Sequence, residues 1–282
     1  MEMDSKQLFH QLMRDLTLSE SLEEKESILF WVMEHTLNLS KTEVLAGKKV
    51  HVDESELSGI LRRLNQHEPA QYVLGEAEFY GRKFFVNSSV LIPRPETELL
   101  VKEVLDYLLG SKGNATVLDI GTGSGCIATT LALECPSATV AATDISEAAL
   151  TVARNNAEQL NAKVNFMTHD IVKDELTLGL FDVVVSNPPY IPLHEKSSLQ
   201  KNVKDYEPAG ALFVPDSNPL LFHEAIAKKT RHVLKPGGLL ITEIHEQLGD
   251  PTTLIFQSNG FIHVKIIKDL SGKNRFVSGI VK

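Results

Sequence analysis

The stretch Leu118-Asp119-Ile120-Gly121-Thr122-Gly123-Ser124-Gly125 decides the fold. It ends an apolar run starting at Val117 and opens onto Cys126-Ile127-Ala128, where helical spacing begins. Gly121, Gly123 and Gly125, set between a strand and a helix, let the backbone turn tightly and approach a ligand closely. Asp144 ends the next apolar run, 23 residues after Gly121, and Asp170 ends the one after that. Carboxylates at such strand ends accept hydrogen bonds, Asp144 from two ribose hydroxyls and Asp170 from an adenine amino group. Two cofactors suit this geometry. A dinucleotide needs helix-terminal N–H groups for its pyrophosphate. S-adenosylmethionine presents a sulfonium cation, which Asp119 can face. The alternative is a tight strand–helix turn carrying solvent-facing acids. The loop by itself does not choose.

Working outward, strands are predicted at 117–120, 139–143, 164–167, 181–186, 239–243, 261–266 and 275–281. Helices are predicted at 126–134, 147–160 and 220–234, and the turn Lys235-Pro236-Gly237-Gly238 precedes the fifth strand. Buried strands with helical crossovers imply a mostly parallel sheet covered on both faces. The last two strands are separated only by residues 269–274, which predicts an antiparallel edge hairpin.

Upstream, Leu8, Leu12 and Leu16, then Ile28, Leu29, Val32 and Met33, recur at helix-face spacing. Ser19 followed by Leu22 and Glu23 predicts one helix start, and Ser40 with Glu43 predicts a capping box. A further helix runs through Asp53, Leu57, Ile60, Leu61 and Leu64 and ends before Pro69. Residues 79–81, 83–86 and 90–92 read as short strands of a hairpin connector, stiffened beyond by Pro93 and Pro95, before helical spacing resumes over 96–109. The expected organisation is a helical domain over 1–75, a hairpin connector over 76–96 and an α/β domain over 97–282.

The 282 residues are 43% hydrophobic and 23% charged, an ordinary globular composition. Net charge is -9, and the first 75 residues hold eight Lys and Arg against thirteen Asp and Glu. A grip on duplex DNA calls for a basic footprint, which bulk charge does not provide, so no direct nucleic-acid partner is expected. The two cysteines, Cys126 and Cys135, make no disulfide framework and read as small buried or helix-end residues. The N-terminal residues lack a signal-peptide pattern, and no run is long enough to span a membrane, so the cytoplasm is the expected compartment. Histidines 67, 169, 194, 223, 232, 245 and 263 form no ligand-spaced cluster, so no metal is expected.

The chemistry is carried by Ser186-Asn187-Pro188-Pro189-Tyr190, which follows the strand at 181–186. Pro188 and Pro189 hold the loop extended. The Pro188 carbonyl and the Asn187 side-chain oxygen are two acceptors placed together, able to hold both hydrogens of a planar –NH2. Tyr190 offers an aromatic face to the flat acceptor and to a sulfonium. An amide nitrogen is a poor nucleophile because its lone pair is delocalised. Accepting its protons pushes electron density back to nitrogen and aligns it for attack, which is catalysis by orientation and preorganised electrostatics. With the glycine loop, the segment points to methyl transfer onto nitrogen.

On Leu91-Ile92-Pro93-Arg94-Pro95-Glu96-Thr97-Glu98, residues 118–125, residues 186–191 and Asn274-Arg275, the chain resembles the bacterial N5-glutamine methyltransferases of peptide chain release factors. The resemblance covers nearly the whole chain. It implies a class I S-adenosylmethionine-dependent methyltransferase, a Rossmann-like seven-stranded sheet with a small N-terminal helical domain, acting as a monomer. It implies that Asp119, Gly121, Thr122, Gly123, Gly125, Asp144, Ile145, Asp170 and Asn187 form the cofactor site. It also implies that Asn187 and Pro188 are catalytic and bind the glutamine amide of a Gly-Gly-Gln loop. Pro189, Tyr190, Arg94 and Glu96 line the substrate side, and the N-terminal domain helps recognise the release factor.

Some residues keep two readings. Arg94 either contacts substrate or makes an internal ion pair that holds the connector. Glu243 either approaches the pocket or is a solvated carboxylate, and Glu207 with Pro208 would shape a lid. A nucleobase amino methyltransferase would use the same Asn-Pro-Pro-aromatic logic, but with base flipping and a basic groove. A ribosomal-protein glutamine methyltransferase, and a binding protein that keeps the fold without catalysis, are the other rivals.

Overall fold

The computed structural model describes residues 2–110 and 114–282, so Met1 and residues 111–113 of the expected domains lie outside the described residues. The chain forms two compact units, one of residues 1–76 with 200–206, the other of residues 77–199 with 207–282.

The first unit contains β1 (Glu2–Asp4), α1 (Ser5–Asp15), α2 (Leu22–Leu37), α3 (Lys41–Leu45), β2 (Lys49–His51), α4 (Glu54–Asn65) and α5 (Ala70–Leu74). Leu8, Phe9 and Leu12 of α1 pack with Leu29, Val32 and Met33 of α2 and with Leu57 and Leu64 of α4. The capping box on α3 is complete: Ser40 Oγ accepts the Glu43 N–H at 3.3 Å, and Glu43 Oε2 accepts the Ser40 N–H at 3.0 Å. The cap of α2 is Ser21 rather than Ser19, because only Ser21 stands where its Oγ can accept the Glu24 N–H, at 3.2 Å. The antiparallel pair β1–β2 was not foreseen, since three residues per strand are too few for an alternation to show.

From Ala77 the second unit takes up the hairpin of β3 (Glu76–Phe79) and β4 (Arg82–Phe85). Its turn residues Tyr80 and Gly81 have φ of 52° and 69°, the double left-handed conformation of a tight hairpin. Then follow α6 (Thr97–Leu109), β5 (Thr116–Ile120), α7 (Cys126–Glu134), β6 (Thr139–Asp144), α8 (Glu147–Gln159), β7 (Val164–Thr168), β8 (Phe181–Ser186), β9 (Ile191–Pro192) and a 3-10 turn (Leu193–Ser198). After α9 (Lys201–Tyr206), which belongs to the first unit, come α10 (Ala209–Leu212), β10 (Phe213–Val214), α11 (Leu221–Thr230), β11 (Leu234–Glu243), α12 (Gly249–Ser258), β12 (Phe261–Lys268) and β13 (Asn274–Val281).

Among the described residues, seven strands form one sheet in the order β12-β13-β11-β8-β5-β6-β7. The pairs from β11 to β7 are parallel, and β13 is antiparallel to both β11 and β12. Val117, Val183, Val185, Ile241 and Phe276 of the sheet pack against Leu100, Val101 and Val104 of α6 and Leu131 of α7. Phe79 and Phe84 of the hairpin are fully buried in this core, each contributing about 1.5–3 kcal/mol of apolar burial.

Several expectations need correction, the first being the strand expected at 79–81, where Tyr80 and Gly81 are the hairpin turn instead. Residues 90–92 are not a strand: the Val90 N–H bonds back to Asn87 O at 3.1 Å, and Ile92 N–H is taken by a side chain. The helix expected over 220–234 ends at Thr230, and Lys235-Pro236-Gly237-Gly238 is a bulge inside β11, between the paired residues Leu234 and Leu239. Helix α12 was missed because Gly249-Asp250-Pro251 at its start reads as a turn.

Candidate active site

The register of the central strands brings the site together. Ile120 of β5 pairs with Ser186 of β8, and Ser186 pairs with Thr242 of β11. The next residues, Gly121, Asn187 and Glu243, therefore stand side by side at the carboxyl edge of the sheet. Strand order also reverses here, since β5 leads towards β6 and β7 on one side and β8 lies beside β11 on the other. Such a switch point opens a crevice. Ser186 Oγ donates to Ile120 O at 2.6 Å and ties the two strand ends together.

A cavity of about 650 Å³ occupies this crevice. Gly121, Thr122 and Gly123 form one wall with Asp144, Ile145 and Asp170. Asn187, Pro188 and Pro189 form another, while Val90, Leu91, Pro93 and Arg94 come from the connector and Pro208, Gly210 and Ala211 from around α10. Gly121 and Gly123 have φ of 73° and 54°, with open space where a Cβ would stand. Asp144 is fixed by backbone donors: Oδ2 accepts the Gly123 N–H and Oδ1 the Ser146 N–H, both at 2.9 Å. Burial raises its pKa against those bonds. Asp170 Oδ1 accepts the Val172 N–H at 2.9 Å and the Lys173 N–H at 3.2 Å. The cationic side chains on the wall are committed, Arg94 to Glu207 at 2.6 Å and Lys173 to Asp170 at 3.3 Å. Carboxylates with spare lone pairs and engaged cations suit ribose hydroxyls and a cationic ligand better than a pyrophosphate.

Several expected residues sit elsewhere. Gly125 is not on the cavity wall: a Cβ there would lie 2.9 Å from the Cβ of Ala153, so this glycine lets α7 and α8 approach. Asp119 is fully buried beneath the wall, where its Oδ2 accepts the Thr122 hydroxyl at 2.6 Å and its Oδ1 has no close hydrogen-bond partner among the described residues. Burial pushes its carboxyl up to about 7, although the Thr122 bond opposes this, and the charge of Asp144 raises it further. Tyr190 does not line the cavity. Its hydroxyl donates to Glu243 Oε1 at 3.1 Å and its ring makes a T-shaped contact with His245. Glu96 is exposed at the start of α6 and off the cavity wall. Arg94 makes the internal ion pair, and Glu207, whose Oε2 also accepts the Ile92 N–H at 3.2 Å, clamps the connector rather than forming a lid.

Two polar residues were missed. Thr97 is buried: its Oγ1 donates to Glu243 Oε2 at 2.8 Å and accepts Asn187 Nδ2 at 3.2 Å. Glu243 is itself buried rather than solvated, and burial pushes its carboxyl up to about 7. Asn156 of α8 bonds both the N–H and the C=O of Phe85, at 2.7 and 2.9 Å, and Ser124 O at 2.9 Å, so it couples the hairpin to the glycine loop. A threonine at the first position of a helix and an asparagine within one carry no sequence signal of that kind. Cys126 borders the cavity as a core residue, its thiol pushed up to about 12 by burial.

Sheet order and crevice are those of class I methyltransferases. A family model described as methyltransferase small domain matches residues 95–206, and one described as PrmC N-terminal domain matches residues 7–75. The crystal structure of a methyltransferase from Pyrococcus furiosus shares the fold, with a TM-score of 0.50 at 20% identity over 72% of this chain and 90% of that one. The release factor glutamine methyltransferase of Bacteroides thetaiotaomicron is 41% identical over 261 residues, 91% of this chain and 92% of its own. That of Bacillus subtilis is 37% identical, with 86% and 87% covered. The chain belongs to the release factor glutamine methyltransferase family.

Proposed function

We propose that this chain transfers a methyl group from S-adenosylmethionine to the N5 side-chain amide nitrogen of the glutamine in the Gly-Gly-Gln loop of peptide chain release factors. The observation that carries the reading is the register that sets Gly121 beside Asn187, in a chain 41% identical to a release factor glutamine methyltransferase over 91% of its length. S-adenosylmethionine supplies a methyl group on a positively charged leaving group, so the protein has no covalent intermediate to stabilise. Gly121 and Gly123 let the backbone lie against the cofactor, Asp144 takes its ribose hydroxyls, and Asp170 takes its adenine amino group. Thr122 and Ile145 complete that wall. Asp119 acts from beneath, through Thr122 and through its charge.

On the other side, Asn187 Oδ1 and the Pro188 carbonyl accept the two protons of the glutamine –NH2. This turns the nitrogen lone pair towards the methyl and keeps it there. The nitrogen becomes acidic once alkylated, so the proton leaves after transfer and no general base is needed. The helical residues 1–75 and the hairpin connector recognise the release factor in the cytoplasm. Pro189 flanks the amide site, and Arg94 shapes its mouth through its grip on Glu207.

The test supplies labelled S-adenosylmethionine with an intact release factor, with one whose loop glutamine is replaced, with a ribosomal protein mixture and with duplex DNA. Label should enter the intact release factor alone. Label in DNA, or equal label in the glutamine-free factor, contradicts the proposal.

A further inference from the structure

Glu243 is buried at the end of β11, yet both of its oxygens are occupied, Oε2 by the Thr97 hydroxyl at 2.8 Å and Oε1 by the Tyr190 hydroxyl at 3.1 Å. An ionised carboxylate can only accept hydrogen bonds, and a threonine hydroxyl has a single proton to give. Once that proton points at Glu243, Thr97 can only accept from its other neighbour, Asn187. The contact of 3.2 Å between them must then carry an Asn187 Nδ2 proton. With Nδ2 turned to Thr97 by one of its two protons, the Asn187 oxygen lies on the other side of the amide and can accept from a ligand.

Resting on the amide-methylation reading above, we propose that Glu243 and Thr97 are positioning residues whose hydrogen-bond direction, set by the charge on Glu243, presents the oxygen of Asn187 to the substrate –NH2. With a proton on Glu243 the chain can run the other way. Glu243 then donates to Thr97, Thr97 donates to Asn187 Oδ1, and the Asn187 –NH2 faces the substrate –NH2, donor against donor. That arrangement cannot accept the amide protons.

Glu243 is faced from several elements. Thr97 and, one residue earlier, Glu96 stand at the start of α6, with Glu96 opposing the charged form. Tyr190 comes from the loop after β8, and Arg275 of β13 favours the charged form. His223 of α11 donates Nε2–H to the Glu243 carbonyl at 2.9 Å and is held below the usual imidazole range by burial. His245 follows two residues on and bonds Glu195 at 3.3 Å. Arg275 is therefore a cation that favours the charged form of this carboxylate. Burial places the carboxyl near 7, so the reversal falls inside the range of ordinary buffers.

The experiment compares the full chain with Thr97→Val, Thr97→Ser and Glu243→Gln. It measures kcat, cofactor Kd by calorimetry, the pH profile, and the 15N side-chain amide signal of Asn187, assigned by its loss in Asn187→Ala. Thr97→Val should lower kcat ~10- to 100-fold with cofactor Kd within about threefold, as for loss of a hydrogen bond to a charged chain. Thr97→Ser should recover kcat to within about threefold, because it restores the same donor and acceptor. Glu243→Gln should lower kcat about tenfold and abolish the acid limb near neutral pH. The bonded Asn187 proton should shift upfield in Thr97→Val and return in Thr97→Ser.

The proposal is overturned if Thr97→Val keeps kcat within about threefold, if its loss lies wholly in cofactor Kd, if serine fails to rescue, or if the Asn187 signal does not move. Should Thr97→Val not fold, an unchanged kcat and acid limb in the isosteric Glu243→Gln overturns it equally. A wild-type protein that leaves release factor unmethylated would sink the proposed function instead, and the Asn187 signal would still decide the relay.

Discussion

Asp119 and Glu243 make an instructive pair. Both stand at the carboxyl edge of the sheet, on β5 and β11, the two strands that flank β8. Both are fully buried, and burial raises both to about 7. Their partners differ. Glu243 receives two hydroxyl donors and is complete within the protein. Asp119 receives one hydroxyl donor, from Thr122, and its other oxygen has no close hydrogen-bond partner among the described residues, beneath a cavity wall that carries Asp144 and Asp170. A perturbed carboxyl does not by itself say what it is for. Glu243 is satisfied by partners within the protein, whereas Asp119 is proposed to add negative charge behind the cofactor wall.

The largest expected effect lies on the acceptor side. Asn187→Ala should reduce methyl transfer ~10²- to 10³-fold, the range seen when a preorganised transition-state contact is removed. Single-turnover label transfer measures it, and a loss below tenfold would mean the amide is held by something else.

Next comes the pH dependence of stability. Both carboxyls titrate higher in the folded than in the unfolded chain, so between pH ~4 and ~7 the folded state binds more protons. Stability therefore falls as pH rises through that window, by up to ~4 kcal/mol per group. Glu243→Gln and Asp119→Asn should each remove one such contribution, so the melting temperature of the variant relative to wild type rises from pH ~4.5 to ~7.5. Asp182 and Asp269, held below the usual range, act in the opposite sense at lower pH and cancel in that difference. A flat difference curve for either variant would break the pairing.

The glycines sharpen the same contrast. Gly125→Ala, with φ of 78° and a neighbouring Cβ at 2.9 Å, should cost ~1–3 kcal/mol in denaturant melts without altering cofactor affinity at saturating stability. Gly121→Ala meets open space and should cost ~1–2 kcal/mol from its backbone conformation, with weakened cofactor binding as its main effect. The smallest effect is that of Tyr190→Phe. It removes one of the two donors to Glu243 and should cost ~1 kcal/mol, with kcat lowered less than tenfold because Thr97 remains.

Much of the architecture was legible. Strand-end signals are strong where the sequence alternates between apolar runs and glycine or acidic stops, so β5, β6 and β8 lie within a residue of expectation. Elements that begin with turn residues were not legible: Gly249-Asp250-Pro251 hides α12, and Lys235-Pro236-Gly237-Gly238 hides a bulge within β11. In the site, residues that present backbone or carboxylate to a cavity have local signatures, and Gly121, Asp144 and Asn187 are brought together as the sequence implied. Thr97 bonds Glu243 and Asn187, 146 and 90 positions away, and Asn156 bonds Phe85, 71 positions away, separations that no window of sequence contains. Gly125 shows the converse error. Its motif position is right, and its missing side chain lets α7 and α8 approach each other.

The division of labour between the two sides is tested most directly by titrating S-adenosylmethionine into wild type, Asn187→Ala and Asp144→Ala in a calorimeter. Asn187→Ala should bind within about threefold of wild type, and Asp144→Ala about tenfold or more weakly, as for loss of charge-assisted hydrogen bonds. Equal loss of cofactor affinity in the two variants would contradict the account.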